Sequence, residues 1–492
     1  MGDRLLVIDE GTTSTRAMLF ARDGACVGVE QRPLTQHYPR PGWVEHDAEE
    51  IWRETLACAR AVAGDASAIT AIGITNQRET IVFWNRRTRR ALAPAIVWQD
   101  RRTADVCVRL KEEGREPLVQ ERTGLLLDPY FSASKIAWAL EHWPQLREAG
   151  EELRIGTVES WLVFQLTGGL HVSDATNASR TALMNLATGG WDDELLDLWG
   201  VPRGALPEIV DCAGSIGIAA AEHFGRAIPI AGLAGDQQAA AIGQACLAPG
   251  ETKATYGTGA FVLANTGEAP RPSGHRLLAT VAWQLEGRRS YALEGSVFVA
   301  GALIKWLRDE LGLLGTAAES EALARSVEDS GGVHIVPAHS GLGAPHWRAD
   351  ARGLIAGLSL STRRAHIVRA ALEAMAHQTA DLMHAFAADG APWEVLRIDG
   401  GMASNDWLAQ DLADVLELTV ERPDNVETTA LGAAMLAGVG CGMFASLEEA
   451  ATMRGPVKRF NPAMAADVRD ARLAGWLKAV EAVLNQPHPG EG

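Results

Sequence analysis

The sequence predicts an α/β protein of two related lobes, on three observations. Its 492 residues exceed what one ordinary hydrophobic core takes, and 47% of them are hydrophobic, enough to fill more than one. A strand, a Gly/Thr-rich turn and a second strand occur at residues 5–20 and again at 252–263, which points to two lobes of related architecture facing across a cleft. Apolar runs such as residues 228–233 pass through tight turns into helical stretches, as buried strands alternating with helices do. Pro249-Gly250 punctuates the chain between the two repeats and sets the boundary at 242–252, giving lobes of residues 1–246 and 247–492.

Composition narrows the function. A formal net charge of -17 argues against a nucleic acid or an anionic membrane as partner, because both rely on a basic face. No run reaches the roughly 18 apolar residues of a membrane span, and a cytoplasmic location is expected. Six cysteines lie scattered without a CxxC pair, which suggests neither a zinc site nor a disulfide framework. The expected ligand is small. If it is an anion, backbone N–H groups, local Arg or Lys residues and a metal must meet its charge.

Taken in order, Leu5-Leu6-Val7-Ile8 and Ala17-Met18-Leu19-Phe20 read as two strands joined by Asp9-Glu10-Gly11-Thr12-Thr13-Ser14-Thr15-Arg16. Such a turn is either an ordinary hairpin or a phosphate cradle, with Asp9 at the strand end suited to a metal. Asp47 reads as the cap of a helix with Ile51, Trp52, Leu56 and Val62 on its apolar side. Between the strand-like runs 72–76 and 80–84 lie Arg78 and Glu79, either a solvated ion pair or fixed donors and acceptors for a polyol. Trp98 ends a short strand and Tyr130 precedes a helix; both are core residues or aromatic walls.

Gly235-Asp236-Gln237-Gln238 follows a buried strand and opens a helix of small residues, so Asp236 is either a helix cap or a catalytic carboxylate. A helix N-terminus there favours its ionised form. A long, largely buried helix is expected near residues 366–388, and a small-residue helix at 428–439. Between them, Asp399-Gly400-Gly401 lets the backbone approach a flat ligand closely.

These motifs resemble the FGGY carbohydrate kinases, and among them the members that act on glycerol. The likeness runs from Asp9-Glu10-Gly11-Thr12-Thr13 through Pro41-Gly42-Trp43-Val44-Glu45-His46-Asp47, Asn76-Gln77-Arg78-Glu79-Thr80, Gly235-Asp236-Gln237-Gln238 and Tyr256-Gly257-Thr258-Gly259 to Asp399-Gly400-Gly401. Tyr130-x-Ser132-x-x-Lys135 and Gly341-Leu342-Gly343 match the wider family. The resemblance implies an α/β fold of two actin-like (ribonuclease H-like) ATPase domains flanking a catalytic cleft. Residues 1–246 would bind polyol and phosphate, and residues 247–492 nucleotide.

It further implies a homo-oligomer, dimer or tetramer, that transfers phosphate from ATP to glycerol with Mg²⁺. Arg78, Glu79, Trp98, Tyr130, Asp236, Gln237 and Phe261 would bind the polyol, with Asp236 the catalytic base and Asp9 positioning the metal. Thr12, Thr13, Ser14, Arg16, Gly257, Thr258, Gly301, Lys305, Gly401 and Asn405 would hold the nucleotide. Some positions depart from the family pattern. Glu10 stands where Gln is usual, adding a carboxylate beside the phosphates, and Lys305 replaces a frequent Gln. Residues 221–227 lack the Gly-Gly-x-Arg pattern tied to inhibition by fructose 1,6-bisphosphate, with Arg226 displaced by one position, so strong inhibition is not expected. His223 in that loop is expected to be a plain surface histidine.

Overall fold

The computed structural model describes residues 3–348, 350–425 and 427–486, and two mixed sheets form its frame. The first contains β1 (Arg4–Glu10), β2 (Ser14–Ala21), β3 (Cys26–Pro33), β4 (Ile69–Asn76), β5 (Ala213–Ala219) and β6 (Ile228–Gly235), in the order β5-β6-β4-β1-β2-β3. The second contains β7 (Glu251–Tyr256), β8 (Ala260–Gly267), β9 (Leu278–Leu285), β10 (Arg288–Val297), β11 (Val395–Asp399), β12 (Val420–Pro423) and β13 (Val457–Phe460), in the order β9-β10-β8-β7-β11-β12-β13.

One plan is used twice. The hairpins β1-β2 and β7-β8 are antiparallel, and each extends on one side to another antiparallel strand, β3 or β10. On the other side each continues into two parallel strands, β4 and β6 or β11 and β12. The repeat expected from residues 5–20 and 252–263 is therefore a repeat of sheets.

Five helices organise the core: α1 (Ala48–Ala63), α2 (Asp236–Gly243), α3 (Arg364–Ala388), α4 (Asp406–Leu416) and α5 (Thr428–Gly440). Strand alternation sends Leu6 and Ile8 to one face of the first sheet, where Ile51, Cys58 and Ala59 of α1 cover them. The Asp47 carboxylate caps α1 by accepting the Glu49 N–H. Leu5 and Val7 point the other way, into a cluster with Met18, Phe20 and the Ala-rich side of α5. A helix from the second half of the chain thus completes the core of the first sheet.

Helices α2 and α5 cross at glycines. A Cβ added at Gly243 would lie 1.9 Å from the Thr428 carbonyl oxygen, and one at Gly432 would lie 1.8 Å from that of Ala239. No side chain fits there. The small-residue pattern of both helices is the sequence trace of this contact.

Two expectations fail. Glu10 does not face the phosphate turn: it is fully buried on the α1 side, where the Thr55 hydroxyl donates to its Oε2 at 2.8 Å and Oε1 has no partner. Burial pushes its pKa to about 8, against the hydroxyls of Thr15 and Thr55, so near neutral pH it is a neutral acid, close in shape to the usual Gln. His223 is not a surface residue either. It is buried edge-on against Trp52, with ring centroids 5.3 Å apart.

Two outcomes are expected from this packing. Gly432→Ala overpacks the crossing and lowers stability by about 1–3 kcal/mol or more, read as a lower urea midpoint at unchanged m-value. For Glu10, a folded-state pKa of about 8 against the usual 4.5 means that folding retains a proton the unfolded chain releases, so this contribution fades as pH rises toward 8. Glu10→Gln has no such proton. Its melting temperature without nucleotide, relative to that of the wild type, should climb between about pH 5 and about pH 8.5; a constant difference would refute a neutral Glu10.

Candidate active site

The first-sheet strands β4 and β6 end side by side, and the turn after β4 carries Arg78 and Glu79. These residues are no solvated pair. Both are buried, their Nε and Oε1 atoms are 4.0 Å apart, and each is held by other partners. Arg78 places Nη1 and Nη2 on the two oxygens of Glu294, at 2.6 and 3.2 Å, while Nη1 also reaches Gln238 Oε1 at 3.3 Å. Its Nε lies 3.1 Å from Asp236 Oδ1, and Nη2 lies 3.5 Å from the Tyr130 hydroxyl. Arg180 closes the network, donating to Glu79 at 2.7 Å and to Glu294 at 3.0 Å.

Glu79 adopts a left-handed backbone with φ 61°, a state that costs a non-glycine residue roughly 1–2 kcal/mol. Its neighbours over-determine it, since the Ser132 hydroxyl donates to its carbonyl oxygen at 3.0 Å while Arg180 fixes its carboxylate. Lys135 explains the spacing of its motif: its ammonium donates to the carbonyls of Pro129, Tyr130 and Phe131, clamping the loop that presents Tyr130. Trp98 packs edge-on against Tyr130, 5.7 Å between centroids, and its indole N–H donates to Thr12 Oγ1 at 2.9 Å. The aromatic wall therefore adjoins the first Gly/Thr turn.

Asp236 is the first residue of α2, and Gly235, not Asp236, occupies the cap position. Its Oδ1 accepts the N–H of Gln237 at 2.7 Å, and about a third of the side chain (35%) is open. Burial raises its pKa from the ordinary value even though Arg78, Lys253 and the Gln237 N–H oppose it. The helix N-terminus therefore does not act on Asp236 alone, since burial pushes the other way. A raised carboxylate is also the better proton acceptor near neutral pH. Glu294 moves the opposite way: burial would raise it, but Arg180 and Arg78 outweigh that and hold it at about 2.

Gln237 is joined to the second sheet by Lys253 of β7, whose ammonium donates to Gln237 Oε1 and, at 2.9 Å, to Thr255 Oγ1. Phe261 stands on β8 opposite Thr255. Arg78, Glu79, Tyr130, Asp236 and Trp98 thus form one linked cluster, and Gln237 and Phe261 flank it through Lys253 and Thr255.

Of the residues expected to hold nucleotide, Thr12 and Thr13 occupy the β1-β2 turn, and Ser14 begins β2 with its hydroxyl accepting from Gln31 at 2.8 Å. Arg16 donates to Asp9 and, at 2.7 Å, to Glu427 at the start of α5. Gly257 and Thr258 occupy the matching β7-β8 turn, and the carbonyl of Gly257 accepts the N–H of Gly301 at 2.9 Å. Lys305 is exposed on the helix that begins at Gly301. Asn405 is engaged as the cap of α4, accepting the Leu408 N–H at 3.0 Å, with its amide on Ser320 at 3.3 Å.

The residues fit a nucleotide that carries its own metal. A Cβ at Gly401 would meet nothing within 4 Å, so the backbone there borders open space. Among the described residues no group of three or more His, Cys, Asp or Glu could cage a metal. Asp9 at a turn of hydroxyls instead suits Mg²⁺, which binds through one or two carboxylates plus phosphates and water.

Glu294, Arg180, Gln238 and Lys253 belong to the site, yet the sequence reading singled out none of them as ligands. Glu294 and Lys253 do leave a signal, a charged residue inside an otherwise strand-like run. Arg180 leaves none.

Known proteins share the family and the fold. The model of the FGGY family of carbohydrate kinases, N-terminal domain, matches residues 4–243, and that of the C-terminal domain matches residues 252–441. The chain is 53% identical to a glycerol kinase of Methylobacterium nodulans over 99% of both chains. It is 55% identical to one of Aromatoleum aromaticum, covering 97% of this chain and 98% of the relative. Among solved structures, Plasmodium falciparum glycerol kinase with ADP superposes with a TM-score of 0.94 at 36% identity, covering 99% of this chain and 100% of the other. Xylulose kinase from Rhodospirillum rubrum gives 0.87 at 25% identity, over 98% and 99%. With two family models matched in order and relatives alike over nearly their whole length, the chain belongs to the FGGY family of carbohydrate kinases.

Proposed function

We propose that the protein transfers the γ-phosphoryl group of ATP to a terminal hydroxyl of glycerol, yielding sn-glycerol 3-phosphate and ADP in the cytoplasm as a step of glycerol catabolism. The observation that carries this reading is the Arg78 guanidinium, which gathers Asp236 and Tyr130 into one cluster that Trp98 links to Thr12 of the first Gly/Thr turn. The likeness to glycerol kinases along the whole chain supports the same substrate.

The chemistry follows from the residues. Arg78, Glu79, Tyr130, Asp236 and Gln237 offer enough donors and acceptors for three hydroxyls, with Trp98 and Phe261 against the carbon edge. Asp236 orients the terminal hydroxyl and accepts its proton as the oxygen bonds to the γ-phosphorus and the bond to the β-phosphate oxygen breaks. Phosphoryl transfer asks mainly for positioning and neutralisation, so Arg16 and the turn N–H groups share the work with the base. Bound Mg²⁺ neutralises charge on the phosphates, and Asp9 is the carboxylate that would position it. Closure of the two lobes over the cleft keeps out water that would otherwise hydrolyse ATP.

Asp236→Asn should lower kcat by roughly 10²–10⁴-fold with a smaller change in glycerol KM, measured by coupled ADP release. Near-normal kcat would remove Asp236 from the chemistry. The same assay with glycerol, erythritol, xylulose and ribulose tests the substrate: a ketopentose preference would make the protein a kinase of larger sugars, and polyol-independent ADP release would make it a plain ATPase.

A further inference from the structure

We infer that Lys253 is a positioning residue that fixes the polarity of the Gln237 amide, so that Gln237 presents only N–H donors to the substrate. The inference rests on the proposed polyol site and adds a residue and a rule of specificity to it.

Lys253 is fully buried in β7, with the charge-bearing end of its side chain against the first lobe. An ammonium only donates hydrogen bonds, so the atom of Gln237 that meets it must be the carbonyl Oε1. Thr255 takes a second bond at 2.9 Å and holds the ammonium in place. Burial lowers the pKa of Lys253, and the charges of Asp399 and Asp236 oppose that shift, so both carboxylates favour the donor form. With Oε1 committed, the NH₂ of Gln237 is the end left for a ligand, next in sequence to a carboxylate that only accepts.

A hydroxyl placed between these two groups must accept from Gln237 and donate to Asp236. Only a group that does both satisfies the pair. A methyl or methylene at that point leaves both unpaired, and an ammonium cannot accept. The pairing also accounts for a lysine at a position where a hydrophobic residue would fold as well, since a buried charge contributes little to stability by itself.

The test compares glycerol with propane-1,2-diol and propane-1,3-diol, each lacking one hydroxyl, in the wild type, Lys253→Met and Lys253→Arg. Lys253→Met should raise glycerol KM about tenfold or more with a much smaller change in kcat, and should shrink the preference for glycerol over at least one diol by about tenfold. Lys253→Arg, still a pure donor, should restore most of both. A preference unchanged in Lys253→Met overturns the inference, whatever happens to its melting temperature. Should Lys253→Met not fold, Gln237→Glu decides: a carboxylate still satisfies Lys253 but has no N–H to give, so the same preference must shrink. An unchanged preference there overturns the inference as well. Wild-type ADP release that ignores glycerol would instead overturn the proposed function, and this inference with it.

Discussion

The close crossing of α2 and α5 governs the rest of the structure. Because Gly243 and Gly432 allow backbone to touch backbone, the two helices run past each other in close contact, the last turn of α2 against the first of α5. Helix α2 brings Asp236, Gln237 and Gln238. Helix α5 brings Glu427, which holds Arg16, and Thr428, whose hydroxyl donates to Asp399 Oδ2 at 2.5 Å beside the diglycine turn. The Asp236 cluster, the β1-β2 turn and the diglycine turn are thus tied to one helix pair.

The second organising element is the set of buried charges linking the sheets. Arg78 and Glu79 belong to the first, Glu294 to the second, and Arg180 bridges them. Burying such groups costs several kcal/mol per ion unless the geometry is close to ideal, and as a source of stability the network is poor. Its value is preorganisation. Arg78 grips Glu294 with both terminal nitrogens, Glu79 is fixed in a strained backbone state, and Lys135 pins the Tyr130 loop, so these groups are held in place in advance of any ligand. Gln238 adds a neutral tie, spanning from Arg78 to the backbone of Val281 in β9.

What could be read in the sequence was local. The two hairpins announced themselves because a Gly/Thr turn between apolar runs is a contiguous pattern, and the glycine-rich helices showed their thinness residue by residue. Arg78 and Glu79 were recognisable by type, but their partners Arg180 and Glu294 lie far along the chain, and no spacing links them. Glu10 was misjudged although strand alternation carried the answer: consecutive residues Asp9 and Glu10 cannot share a face, and the side covered by α1 takes Glu10. His223 was misjudged because a short polar loop gave no hint of the Trp52 ring that covers it. The pKa of Asp236 was out of reach for a similar reason, since burial is a property of the assembled cleft.

The position of α5 also fixes an order of events during synthesis. The face of the first sheet formed by Leu5, Val7, Met18 and Phe20 is covered by residues 428–440, which emerge nearly two hundred residues after the last strand of that sheet. At roughly 5–20 residues per second, the ribosome takes on the order of ten to forty seconds to supply them. Throughout that interval the nascent lobe lacks the helix that covers this apolar face.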